Sequence, residues 1–330
     1  MENYSPYIKM REELDGGFSK GWGFHFRPSE EYVIDCHAHS AFLGDAKEYK
    51  ALLDGWFGYT EAYRQQKVVL FIEKPAQVDV MPELMKIDDR AQWMYFAKSA
   101  YPCTELLKRT KALGACGVKL HNYDIMKGID PIEIWEDPEW QEFFKWANEE
   151  KFPILWHVTQ RTSYSPYHGG GNNAYFCEGI RRNRIVTNIQ LLDQLKDLMR
   201  RYPDIPIIGA HQMYLGLDRL AELFDEFPNL YIDTSVGFFL RWCDDLEDCD
   251  RKPYHDFFVK YHDRILFGTD TDVNPEGICQ YQFEGFKNHL RFIHKLDLPY
   301  DVLQDVCYRN SERVLGIPPS TSARKHNTRP

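Results

Sequence analysis

From Tyr32 onward, short apolar runs alternate with longer stretches whose apolar positions recur at helical spacing. That alternation is the signature of βα units around a parallel sheet. Strands are expected at residues 32–34, leading into Asp35-Cys36-His37-Ala38-His39, and at 68–72, 117–121, 154–158, 207–211, 230–234 and 265–269. A further strand at 93–96 has the weakest pattern and is placed mainly because it completes eight. Helices are expected at 104–113, 138–150, 191–202, 215–227 and 253–261. Several of these run into Pro and then a strand, as at Lys151-Phe152-Pro153, Pro203-Asp204-Ile205-Pro206 and Phe227-Pro228-Asn229, which marks helix exits.

Eight strands with intervening helices predict an α/β fold, a single-domain (β/α)8 TIM barrel over residues 32–317. An N-terminal arm, 1–31, has no clear period, and a tail, 318–330, reads as a disordered end. Residues 159–184, with Gly169-Gly170-Gly171-Asn172-Asn173, interrupt the alternation as a long loop after strand 5. Barrels keep lids and substrate loops at the C-terminal ends of their strands.

Composition narrows the function without choosing it. The 330 residues are 43% hydrophobic and 15% aromatic, enough for a large core. Lysine and arginine total 40 against 50 acids, a net charge of -10, so no basic stripe awaits a phosphate backbone and nucleic acid is not expected. No apolar run approaches a membrane span, and the polar start, Met1-Glu2-Asn3-Tyr4, lacks a secretory pattern. The eight cysteines form no Cys-x-x-Cys pair, consistent with reduced thiols and a cytoplasmic setting.

The chemistry gathers at strand ends. His37 and His39 stand two apart on a strand, so their imidazoles share one side, with Cys36 and Ala38 expected to face the helices. Two imidazoles on one face suit a divalent metal, although a pair of buried structural histidines has the same spacing. His157, His211 and Asp270 each close a later apolar run. Any one of them is an ordinary strand terminus. Together they occupy the face where barrel active sites assemble. Lys119 and His121, in Gly117-Val118-Lys119-Leu120-His121, also share a side, and an inward lysine must be paired or lose its charge. Three roles are open to Lys119: binding a substrate carboxylate or carbonyl, becoming carboxylated as a bridge between two metals, or forming a buried ion pair.

The ordered set His37-x-His39, Lys119, His157, His211 and Asp270 resembles the amidohydrolase superfamily, particularly its amidohydrolase-related (amidohydrolase 2) branch of metal-dependent hydrolases and decarboxylases. The likeness extends over 32–317 and includes the closing Asn310-Ser311-Glu312-Arg313-Val314-Leu315-Gly316-Ile317. It implies that His37, His39, His157 and Asp270 bind the catalytic metal. His211 would ligate a second metal or contact the substrate. One Zn2+ is expected, with Mn2+, Fe2+ or Co2+ accepted by the same donors and a second metal on a carboxylated Lys119 as the variant.

Three functions follow. The first is hydrolysis of a C–O or C–N bond in a small organic acid, by metal-activated water with Asp270 as general acid/base and His211 as the second catalytic group. Lys119, His121 and Arg161 would bind substrate. The second is non-oxidative decarboxylation of an aromatic or unsaturated acid, with Trp56, Phe57, Tyr164, Tyr175, Phe176, Phe238 and Trp242 as aromatic candidates and Glu73, Asn172 and Asn173 as polar ones. The third is a non-catalytic barrel that binds without turnover. A small molecule is the expected partner. The chain is read as either a monomer or a homo-oligomer.

Overall fold

In a computed structural model, the described residues are 32–60, 63–99, 104–160, 186–235, 252–273, 286, 289–290, 293–294 and 296–319. Within them lie β1 (Val33–Ser40), β2 (Gln65–Ile72), β3 (Ala91–Phe96), β4 (Gly117–His121), β5 (Ile154–His157), β6 (Ile207–Gly209), β7 (Leu230–Asp233), β8 (Ile265–Leu266) and β9 (Thr271–Val273). They form one parallel sheet in the order β8-β7-β6-β5-β4-β3-β2-β1-β9. The sheet curls, because a single stretch of chain supplies both of its ends: β8 pairs with β7, and β9, four residues later, pairs with β1.

Side chains alternate across this sheet, giving each strand two apolar faces. Val68, Leu70, Trp93, Val118 and Ile207 pack with helix residues such as Leu53, Phe143 and Leu195. Ile34, Val69, Phe71, Met94, Leu155 and Ile208 form a separate cluster on the face turned away from those helices.

The helices carry the expected signals. Asp137 caps Pro138–Glu149, accepting the Glu139 N–H at 2.9 Å, and Pro138 stands where its missing N–H costs nothing. That helix buries Trp140, Phe143, Phe144 and Ala147, with each large side chain contributing about 1.5–3 kcal/mol. Thr187 and Gln190 form a capping box at the start of Asn188–Arg201. A helix over Ala46–Thr60 was not among those expected, although its buried Tyr49, Leu52, Leu53, Trp56, Phe57 and Thr60 keep helical spacing. Trp56 and Phe57 therefore belong to the packing between helix and sheet and are no part of an aromatic substrate wall. Glu73 is exposed.

Cys36 also departs from expectation. Asp35 pairs with Val68 and Ala38 with Leu70, so β1 spends three residues where β2 spends two. This bulge turns Cys36 into the cluster away from the helices, while Ala38 remains on the helix side. The N-terminal arm, most of the loop after β5 and residues 320–330 of the tail lie outside the described residues.

Candidate metal centre

The first side of the site is built by β1 and the link between β8 and β9. His37 Nε2 lies 3.1 Å and His39 Nε2 3.3 Å from the same oxygen, Asp270 Oδ1. Asp270 reaches it from a left-handed backbone, φ 61°, held by its N–H donating to the His37 carbonyl at 2.8 Å. Gly268 permits the close approach of the two segments: a Cβ there would lie 3.0 Å from His37 Cβ and 3.1 Å from Cys36 Sγ. Asp35 staples the same junction, accepting the Thr269 hydroxyl at 2.6 Å and the N–H groups of His37 and Thr269. Burial raises its carboxyl to about 7 against those donors.

Behind this side stands β7. The fully buried Asp233 places Oδ2 2.6 Å from His37 Nδ1, and Ser235 Oγ lies 3.0 Å from the same nitrogen. Burial and Lys119 push the His37 imidazolium down, but Asp233 and Asp270 outweigh them and its pKa is raised.

The second side comes from β4, β5 and the turn after β6. His121 and His157 stack with ring centroids 4.0 Å apart, and His157 meets the His211 ring edge-on at 4.7 Å. His211 is not on a strand. β6 ends at Gly209, and His211, Gln212, Met213 and Tyr214 all take left-handed angles, φ 48–58°. Such angles cost about 1–2 kcal/mol per residue. Tethers hold the turn: His211 N–H donates to Asp233 Oδ1 at 2.8 Å, the Gln212 amide to the Asp233 carbonyl at 2.5 Å, and Thr159 Oγ1 to the Met213 carbonyl at 2.5 Å.

Electrostatically the second side is the reverse of the first. Burial drives the His157 pKa down to about 3 and those of His121 and His211 well below the ordinary value, so these rings are neutral. Burial also lowers Lys119 to about 8; its Nζ lies 3.5 Å from His37 Nε2 and over the Phe71 ring. Asp270 is pushed up by burial, yet His37 and the hydrogen bonds from His37 and His39 hold it well below the usual carboxylate range.

The donor set fits a divalent metal. Ligand bonds of about 2.0–2.2 Å imply separations between neighbouring ligand atoms of about 3.0–3.4 Å, which the 3.1 and 3.3 Å edges match. His37 also has the outer support usual for a metal-bound imidazole, a carboxylate on its other nitrogen. Its raised pKa says that the space beside Asp270 favours positive charge, which a metal would supply in place of a proton.

A family model for amidohydrolases matches residues 34–317. The chain belongs to the amidohydrolase-2 family. This metal-dependent family includes both hydrolases and decarboxylases. No curated protein matches the chain. Solved structures share the fold at low identity. An uncharacterised TIM-barrel protein from Bordetella bronchiseptica aligns with TM-score 0.52 and 14% identity, covering 86% of this chain and 98% of its own. Dihydroorotase from Campylobacter jejuni aligns at 0.57 and 13%, covering 88% and 84%. A dihydroxybenzoic acid decarboxylase from a Polaromonas species, with bound manganese and the inhibitor 2-nitroresorcinol, aligns at 0.51 and 13%, covering 87% and 97%.

In this amidohydrolase-2 chain, His37, His39 and Asp270 converge, with ligand atoms within 4.8 Å of one another. Lys119 reaches the same place from β4. His157 and His211 stand beside it as rings and are not part of that triad; His211 instead groups with His37 and Asp233. Arg161, with Tyr164, Asn172, Asn173, Tyr175, Phe176, Phe238 and Trp242, lies outside the described residues. Sequence reasoning missed Asp233 and Ser235. The signal was present, since Asp233 closes the run Leu230-Tyr231-Ile232 as Asp270 and His157 close theirs. Among the described residues, no helix is long and apolar enough to cross a membrane.

Proposed function

We propose that this chain is a single-metal hydrolase that cleaves a C–O or C–N bond in a small organic acid, on a (β/α)8 barrel whose eighth strand is broken at Asp270 into β8 and β9. The observation that carries this reading is the convergence of His37 Nε2 and His39 Nε2 on Asp270 Oδ1. His37, His39 and Asp270 would hold the ion, with His157 as the further ligand that the family resemblance implies. Zinc is the first choice for such donors, and manganese, iron or cobalt suit them too.

A divalent ion held there would polarise a carbonyl and lower the pKa of a water to about 7. The remaining work falls to the protein. Asp270, kept ionised by its imidazole neighbours, accepts the proton of the attacking water and returns it to the leaving group. His211 is the second proton-handling group. Lys119, buried and near the same point, is a cation for a substrate carboxylate, with His121 beside His157 and Arg161, outside the described residues, as the further expected substrate contacts. Lys119 acts uncarboxylated, with one metal per chain. The protein works among reduced thiols in the cytoplasm; among the described residues, Cys36 and Cys116 form no disulfide.

One observation favours a second reading, decarboxylation of a flat unsaturated acid. Aromatic rings crowd the ligands: Phe71 lies 4.8 Å from His37 and 5.3 Å from His39, and Phe96 6.0 Å from His39. In that reaction Asp270 or His211 would deliver the proton to carbon. Zinc- and manganese-loaded protein incubated with panels of lactones and hydroxybenzoates separates the two. The hydrolase reading expects acid release from a lactone or amide, and carbon dioxide as the only product overturns it. A chain that takes up no metal on titration defeats both enzyme readings and leaves the non-catalytic binding barrel.

A further inference from the structure

We propose that Ser235 is a positioning residue that fixes His211 as the tautomer protonated on Nδ1, leaving Nε2 as a proton acceptor. The donors and acceptors around Asp233 impose this tautomer. Its Oδ1 receives the His211 N–H at 2.8 Å and the Ser235 N–H at 3.2 Å, so this oxygen offers lone pairs only. Ser235 Oγ lies 2.7 Å from the same oxygen, closer than to either imidazole nitrogen that it faces, 2.9 Å for His211 and 3.0 Å for His37, and donates its hydroxyl proton there. That proton is then spent.

Toward His211 Nδ1, 2.9 Å away, the hydroxyl presents only a lone pair. The other neighbour of that nitrogen is the Ser235 carbonyl, an obligate acceptor at 3.3 Å. Two acceptors facing one ring nitrogen require it to carry the hydrogen, and a neutral imidazole has only one to place. Gln212 holds the lock in register by donating to the Ser235 and Asp233 carbonyls. The same carboxylate receives His37 Nδ1 on its other oxygen, so one buried group sets the proton positions of two imidazoles on opposite sides of the site.

The consequence for chemistry rests on the enzyme reading above. A bare Nε2 cannot donate to an oxyanion; it takes a proton from a substrate hydroxyl or a water. His211 thus serves as a base and not as a hydrogen-bond donor to the reacting oxygen.

The test is nuclear magnetic resonance of the full chain, labelled with 15N-histidine and titrated with zinc, with His211→Gln used to assign the His211 signals. Wild type is expected to show a protonated Nδ1 and a bare Nε2 on His211. Ser235→Ala should move the proton toward Nε2, and Ser235→Thr, which keeps the hydroxyl, should retain the wild-type pattern. Protonated Nε2 in wild type, or an unchanged pattern in Ser235→Ala, overturns the proposal. The wild-type spectrum decides even if the alanine variant does not fold. A chain that shows the expected tautomer yet takes up no zinc sinks the metal reading and leaves this one standing.

Discussion

The β1/β9 side of the centre and the β4–β6 side use the same residue type for opposite ends. On the first, His37 sits between two carboxylates, Asp233 and Asp270, and its pKa is raised. On the second, His121, His157 and His211 pack against one another with little carboxylate support, and burial keeps them neutral. Imidazole alone therefore does not make a metal site. What separates the two sides is where the carboxylates stand: on the proposed reading the first side supplies the charged donors of the cation site, and the second supplies neutral imidazoles, His157 among them as the further ligand.

The largest effect tests that assignment at its centre. Asp270→Asn removes the carboxylate shared by His37 and His39 and the proposed proton carrier, so turnover of any substrate found should fall by about 10³-fold or more. Zinc per chain, measured after dialysis, should drop with it. His211→Asn should lose turnover while retaining zinc; if the two variants lose metal equally, the division between the sides fails. A smaller effect is expected one step back. Asp233→Asn leaves every ligand atom in place but weakens the acceptor that orients His37, and zinc affinity in a chelator competition should fall about 10–100-fold. Unchanged affinity would remove Asp233 from the metal side.

How much of this was readable in advance follows from how local each feature is. β4, β5 and the polar residues that close them were legible because an apolar run followed by His or Lys is a local pattern. The helix Ala46–Thr60 carries the same kind of local period but was not among the helices expected. The turn at His211 was not, because Ala210-His211-Gln212-Met213-Tyr214 has no glycine, and only tethers from Thr159 and Asp233, 54 and 22 residues away in sequence, make four left-handed residues tolerable. β9 was hidden for a related reason: Thr271-Asp272-Val273 has little apolar character and is a strand because it pairs with β1. The bulge that turns Cys36 inward leaves no mark on the sequence at all.

The comparison also predicts how the metal-free chain responds to acid. His157 is depressed to about 3 in the folded state and His121 and His211 lie well below 6.5, so between pH ~6.5 and about 3 the unfolded chain binds protons that the folded second side refuses. Stability present above pH ~6.5 is therefore lost as pH falls through that window. His37 has the opposite sign: its raised pKa adds stability below the unfolded value that is lost as pH rises through the folded one. Denaturant midpoints of the metal-free protein should fall from pH 7 to pH 5, and in His157→Gln they should fall less. An equal decline in the variant would show that the second side does not carry the acid sensitivity.

The smallest effect is expected at His121. Its ring is sandwiched by His157 at 4.0 Å and Phe96 at 6.2 Å, and its buried Nδ1 has no hydrogen-bond partner among the described residues. An unpartnered buried nitrogen is a cost that an apolar ring of similar shape would not incur. His121→Phe should therefore change folding stability by less than about 1.5 kcal/mol, within the range of volume-conserving swaps, and leave zinc content untouched. The denaturant midpoint and the metal content check that much. Turnover then divides the remaining roles of this residue: a KM rise with kcat retained marks His121 as a substrate contact, whereas unchanged kinetics mark it as packing beneath His157. A loss of zinc in His121→Phe would be the most damaging result, because it would show that the second side gives the metal more than the one imidazole, His157, assigned to it.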